Sequence, residues 1–128
     1  MIAIPLPWQC PPLSLNDRGV NPHVKAAAIK QALTEARWAI RAAKVTPIVG
    51  ANVTLHYRVP DHRRRDADNL AGVLKVVQDA LVAEGVLPRD DWVCVPHSGQ
   101  TIHPPTGEGA AMWVELDVLT EYDEEVPC

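Results

Sequence analysis

Two aspartates set two apart, Asp66 and Asp68, follow directly on Arg63, Arg64 and Arg65 and precede Asn69 and Leu70. In extended chain, side chains two apart point to the same side, so both carboxylates can face one point. Two converging hard oxygen ligands, with water completing the shell, suit Mg2+, and Mn2+ can substitute. A metal held by carboxylates can activate water, polarise a phosphoryl oxygen and stabilise a leaving oxygen. The adjoining arginines suit a nucleic-acid backbone, a contact that positions without reading sequence. The plainer reading is that Asp68 only caps a helix, as an isolated aspartate here most often would.

Features downstream favour the chemical reading. A second acidic pair, Asp90-Asp91, closes the region. On an ideal helix Asp68, Gly72, Lys75 and Asp79 fall within about 60° of one another, opposite the apolar positions. A lysine on that line can neutralise charge developing on a phosphate. Asp79 would stand about 16 Å along the axis from Asp68, which makes it a supporting or structural residue. Asn69 is open between orienting a carboxylate and closing the helix N-terminus.

These residues need elements to position them. Ile2 to Leu6 reads as a short strand, followed by a proline-rich loop through Asn16. Asn21-Pro22 reads as an N-cap with proline at the first helical position. The helix it starts should reach about Lys44, with Ile29, Leu33, Ala36 and Ile40 on its buried face. Lys30, Thr34, Arg37, Arg41 and Lys44 share another stripe. That stripe is either a solvated face or a DNA-tracking surface built from Lys30, Arg37 and Arg41. After Pro47, residues 51–59 alternate as a half-buried strand, with Ala51, Val53, Leu55, Tyr57 and Val59 on one face. A second helix should begin near Asp68 or Asn69 and end near Gly85, burying Leu70, Val73, Leu74, Val77 and Leu81. Residues 92–95 have the composition of a strand, 97–109 that of a loop, and 112–119 alternate as a last strand. The order β-α-β-α-β-β predicts a single α/β (α+β) domain of a small mixed sheet and two helices.

Composition bounds the function. The chain has 128 residues, 47% apolar and 22% charged, an ordinary globular balance. Its net charge of −4 resides in Glu121, Asp123, Glu124 and Glu125. Residues 1–120 are therefore a formally neutral domain, and 121–128 an acidic, solvated tail. No apolar run approaches the ~18 residues of a membrane span. Met1 to Trp8 lacks a basic region and carries Pro5 and Pro7, unlike a signal peptide. Three scattered cysteines, Cys10, Cys94 and Cys128, argue against zinc and for a reducing cytoplasm.

The stretch Arg63-Arg64-Arg65-Asp66-Ala67-Asp68-Asn69-Leu70, then Lys75-Val76-Val77-Gln78-Asp79-Ala80-Leu81, then Gly85-Val86 and Asp90-Asp91, resembles the RusA-type Holliday junction resolvases. The similarity covers residues 63–91, with a looser match in Pro11 to Asn16. It implies a homodimeric, Mg2+-dependent endonuclease that nicks opposing strands of a four-way DNA junction, in the cytoplasm of a bacterium or a phage host. It implies Asp66, Asp68 and one of Asp90 or Asp91 as catalytic metal ligands, and Lys75 as the essential lysine. An ungapped count from Gly85 selects Asp90, while Pro88 in that loop keeps Asp91 open. The lysine of the family follows the second aspartate by four residues, where Gly72 stands here. Two other readings compete: a non-catalytic branched-DNA-binding module, and a metal-dependent nucleotide phosphohydrolase. The first would need a missing carboxylate, and none is missing. The second needs an apolar or aromatic base pocket, which the scattered Trp8, Trp38, Trp92 and Trp113 do not announce.

Overall fold

Proline at position 22 fixes where the first helix starts, because its φ is preset and its missing N–H would have no partner there. The Asn21 side chain accepts the His23 N–H at 2.8 Å, and helix α1 runs Pro22–Ala43 in this computed structural model. Lys44 ends it in the left-handed region, φ 53°, with its N–H on the Arg41 carbonyl. Residues 1–13 and 21–120 are described. The expectations for Ser14, Leu15, Asn16 and the acidic tail lie outside the described residues. Burial of α1 begins only at Ala32, continuing with Ala36 and Ile40. Ile29, expected on the core face, is exposed because the first turns of α1 overhang the core.

Four strands form one mixed sheet: β1 (Ile2–Pro5), β2 (Ala51–Arg58), β3 (Ser98–His103) and β4 (Ala111–Val118), in the order β1-β4-β2-β3. β4 is antiparallel to β1 and β2, while β3 runs parallel to β2. Parallel neighbours need a crossover, and helix α2 (Ala71–Ala83) supplies it, entered through a 3-10 turn at Ala67–Leu70. The expected face of α2, Leu70, Val73, Leu74, Val77 and Leu81, is buried throughout. Gly85 at φ 77° turns the chain back, and Val86 N–H bonds the Leu81 carbonyl at 2.9 Å. The α+β class and element order match the sequence pattern.

The third strand does not lie where composition put it. Residues 92–95 form a turn, because Asp91 Oδ1 accepts the Val93 and Cys94 N–H groups at 3.2 Å each. That turn buries Cys94 and Val95 without strand pairing. The strand falls at Ser98–His103, inside the expected loop, and its register with β2 runs from Val53↔Ser98 to Arg58↔His103. Ser-Gly-Gln-Thr-Ile-His has no clean alternation, so partner strand rather than propensity decides.

Candidate functional site

The end of β2 delivers the chain into residues 60–66, and the arginine run divides there by role. Arg65 turns inward: its guanidinium reaches Asp61 Oδ1 at 2.9 Å and donates to the Asp61 and Arg63 carbonyls at 3.1 Å. Asp61 also accepts the Arg63 N–H at 3.0 Å, and that bond, followed by Arg65, holds its carboxyl below the usual range. Arg65 thus buckles the loop through Asp61. Arg63 is 85% exposed, with Asp61 only at 3.7 Å. Arg64 is exposed and has no partner among the described residues.

Asp66 is extended (φ −103°, ψ 133°) and makes no capping bond to the 3-10 turn. Asp68 and Asn69 lie within that turn, and α2 likewise starts without a side-chain cap. The capping readings of Asp68 and Asn69 are therefore not realised. Both aspartates are exposed, and neither carboxylate has a hydrogen bond or ion pair among the described residues, although the Asp66 carbonyl accepts the Asn69 N–H at 3.1 Å.

Lys75 belongs to a different group. Its ammonium lies 2.7 Å from Asp90 Oδ2 and 3.1 Å from Asp79 Oδ1. Asp90 first and Asp79 second raise the lysine pKa, and Lys75 in turn lowers that of Asp90. Asp79 is thus a partner of Lys75. Asp91 is held by the turn it caps and by Arg89 at 2.9 Å. The polar line from Asp68 to Asp79 passes through the 3-10 turn, which widens it. A 3-10 helix advances about 120° and 2 Å per residue against about 100° and 1.5 Å in an α-helix. Three such steps add about 60° of rotation, which leaves Asp68 about 40° from Lys75 in place of about 20° and about 1.5 Å further along the axis.

The stripe on α1 is also internally matched. Arg37 Nε lies 2.8 Å from Glu84 Oε2 and Arg41 Nε 2.8 Å from Glu84 Oε1, clamping α1 to the end of α2. The Arg41 and Arg37 bonds pull the Glu84 pKa down to about 2. Arg37 and Arg41 are thus paired with Glu84, while Lys30 of the same stripe stays exposed.

Among the described residues no group of three Asp, Glu, His or Cys side chains is gathered to hold a metal. Mg2+ keeps several waters and is commonly bound by one or two carboxylates plus substrate phosphates. Asp66 and Asp68, exposed and unpaired, fit that mode; Asp90 and Asp91 are engaged elsewhere.

Beside Asp66 lies a cleft of about 210 Å3 that sequence reading missed. Leu13, Leu70 and Ile102 line it together with Tyr57 and Asn69. Its walls come from four separate parts of the chain, so no local pattern announces it. Tyr57 offered a partial signal, as an aromatic on the core face of a strand that ends at the arginine loop.

The sheet face away from the helices carries a second titratable group. His56 Nδ1 and His103 Nε2 are 2.7 Å apart, and the His56 and Trp113 rings lie nearly parallel, centroids 5.2 Å apart. Burial lowers the His56 pKa most, against an opposing pull from Glu115. Its Nε2 stands 3.2 Å from Glu115 Oε2 but off the direction a hydrogen bond needs, so it remains unpaired.

No helix among the described residues is long and apolar enough to cross a membrane. No protein-family model matches the chain, and none of the curated proteins compared matches it.

Proposed function

We propose that this chain is a Mg2+-dependent endonuclease for branched DNA, of the RusA-resolvase type. The observation that carries the reading is the pair Asp66 and Asp68, exposed and without a cation partner beside the equally accessible Arg63 and Arg64. Every other predicted acid of the site is paired or capping. Two exposed carboxylates without a cation partner in the described chain are available to a divalent cation. Asp66 and Asp68 would hold the metal, which activates water and stabilises charge at phosphorus. Arg63 and Arg64 hold the DNA backbone. Lys75 can serve a bound phosphate once it leaves Asp90, and Asp79 keeps its ammonium charged meanwhile.

Two opposed nicks in a two-fold-symmetric junction call for two sites related by the same symmetry, so the active species is proposed as a C2 homodimer. Sedimentation at micromolar concentration should give twice the 14.0 kDa chain mass. The free thiols of Cys10 and Cys94 suit the reducing cytoplasm of a bacterium or phage host.

The test is a labelled four-way junction beside a linear duplex of the same sequence, with and without Mg2+. Paired symmetric nicks confined to the junction and requiring Mg2+ are expected. Equal cutting of the duplex overturns the resolvase reading. A second reading is a branched-DNA-binding module without catalysis, favoured by the absence, among the described residues, of a gathered third carboxylate. Tight junction binding with no nick under Mg2+ or Mn2+ selects it.

A further inference from the structure

The cleft beside Asp66 combines apolar walls with unused hydrogen-bonding capacity. Pro11, Leu13, Leu70 and Ile102 supply the apolar walls, and Arg65 and Asp66 line it as well. The Tyr57 hydroxyl and the Asn69 side-chain amide, both lining the cleft, have no hydrogen-bond partner among the described residues. Tyr57 is 4% exposed and Asn69 is half-buried. The buried polar side-chain atoms left without a partner among the described residues are Trp8 Nε1, Asn52 Oδ1 and His56 Nε2, so the Tyr57 and Asn69 groups open to solvent in the cleft and are available to a ligand's donors and acceptors. An amide offers two donors and one acceptor on a flat frame, the pattern that pairs bidentately with a base edge. The volume, about 210 Å3, is below the roughly 300–1,000 Å3 of sites for drug-sized molecules. One flat heterocycle fits it; a larger ligand does not.

We infer that this cleft is a nucleobase site, taking a single unstacked base of the nucleotide that flanks the phosphate at Asp66 and Asp68. The inference rests on the phosphodiester reading for its neighbour, and on the cleft's own lining for its ligand. A base buried between Leu13, Leu70 and Ile102 must leave its helical stack, which costs a few kcal/mol in duplex and least where a strand is already unpaired. The cleft therefore selects nucleotides at branch points and single-stranded stretches over those in intact duplex. Asn69 contacts the base edge and the Tyr57 hydroxyl gives a second polar contact, so the site also discriminates among bases.

The test separates the cleft from the cutting. The uncleaved probes are the four deoxynucleoside 5′-monophosphates, with ribose 5-phosphate as the probe that lacks a base, followed by amide and side-chain NMR shifts. Shifts at Asn69 NH2, Leu13 and Ile102 are expected with the mononucleotides, at affinities that differ at least threefold between bases, and not with ribose 5-phosphate. Ile102→Trp, on a half-buried edge position, fills the cleft and should weaken mononucleotide binding at least tenfold. Tyr57→Phe removes only the hydroxyl and should narrow the difference between bases. Equal shifts with ribose 5-phosphate, or undiminished binding by a folded Ile102→Trp protein, overturn the base site. If Ile102→Trp does not fold, the base-against-ribose comparison on the parent decides alone. Base-dependent shifts in a protein that never cuts junctions uphold the base site and overturn the endonuclease reading instead.

Discussion

Two clusters of arginine look alike along the chain and behave oppositely in space. Arg37 and Arg41 on α1 face Glu84, which binds both guanidinium groups and has a side chain only 9% exposed. Arg63 and Arg64 face solvent next to two carboxylates that bind nothing of the described chain. The first group is a clamp between helices. The second is charge held at the surface, and its Asp66 also lines the cleft. Counting basic residues does not distinguish them, whereas locating their counter-ions does.

The sharpest way to break this comparison is Asp68→Asn. If Asp68 serves a metal, junction cleavage should fall about a thousandfold or more, roughly 4 kcal/mol of transition-state stabilisation. Junction binding should be unchanged or tighter, since a negative charge near DNA is gone. Single-turnover rates alongside equilibrium binding measure both, and a variant that cuts at the parental rate removes Asp68 from the site.

Lys75→Ala comes next. It should lower the cleavage rate about a hundredfold, on the order of 3 kcal/mol, with binding affected much less. Its ion pairs with Asp79 and Asp90 are largely exposed, and such pairs contribute little to stability, so the melting temperature should barely move. A large drop in melting temperature with an unchanged rate would make Lys75 structural.

The two arginine groups can then be compared directly by salt dependence. Arg64→Ala should reduce the slope of log K against log salt by about 0.9, the loss of one phosphate contact. Arg41→Ala should leave that slope unchanged and lower the melting temperature modestly. The reverse outcome would exchange the roles assigned here.

The smallest effect is on acid stability. Glu84 titrates at about 2 when folded against 4.5 for a free carboxylate, with Arg41 and then Arg37 as the cause. A depressed carboxylate stabilises the fold above its unfolded pKa, and that contribution is lost as pH falls through the folded value. Glu84→Gln should therefore melt below the parent at pH 7, and the difference should close between about pH 4.5 and about pH 2. A difference that persists below that window would assign the clamp's effect to packing rather than charge.

Much was legible in the sequence because it was local. Asn21 and Pro22 set the start of α1 from adjacent residues. Alternation over Ala51–Arg58 and the 3.6-residue spacing from Leu70 to Leu81 each fixed a buried face without reference to the rest of the chain. Adjacency likewise placed Asp66 and Asp68 beside Arg63 and Arg64. The miss at residues 92–103 has the same origin in reverse. A tryptophan and valines suggested a strand, but Asp91 drew the backbone into a turn, and β2 recruited the weaker Ser98–His103 instead.

Only the tertiary structure decided which charges are free. Glu84 lies 47 positions from Arg37 and 43 from Arg41, and nothing in the intervening chain marks them as partners. Lys75 meets Asp90 across 15 positions, where sequence spacing alone aimed it toward the Asp68 end of its helix. The cleft needs Leu13, Tyr57, Asn69 and Ile102 at once. Backbone periodicity acts over a few residues, and the sequence carries it openly. Ion pairing and cavity shape depend on distance through space, which exists only after α1, α2 and the sheet have packed.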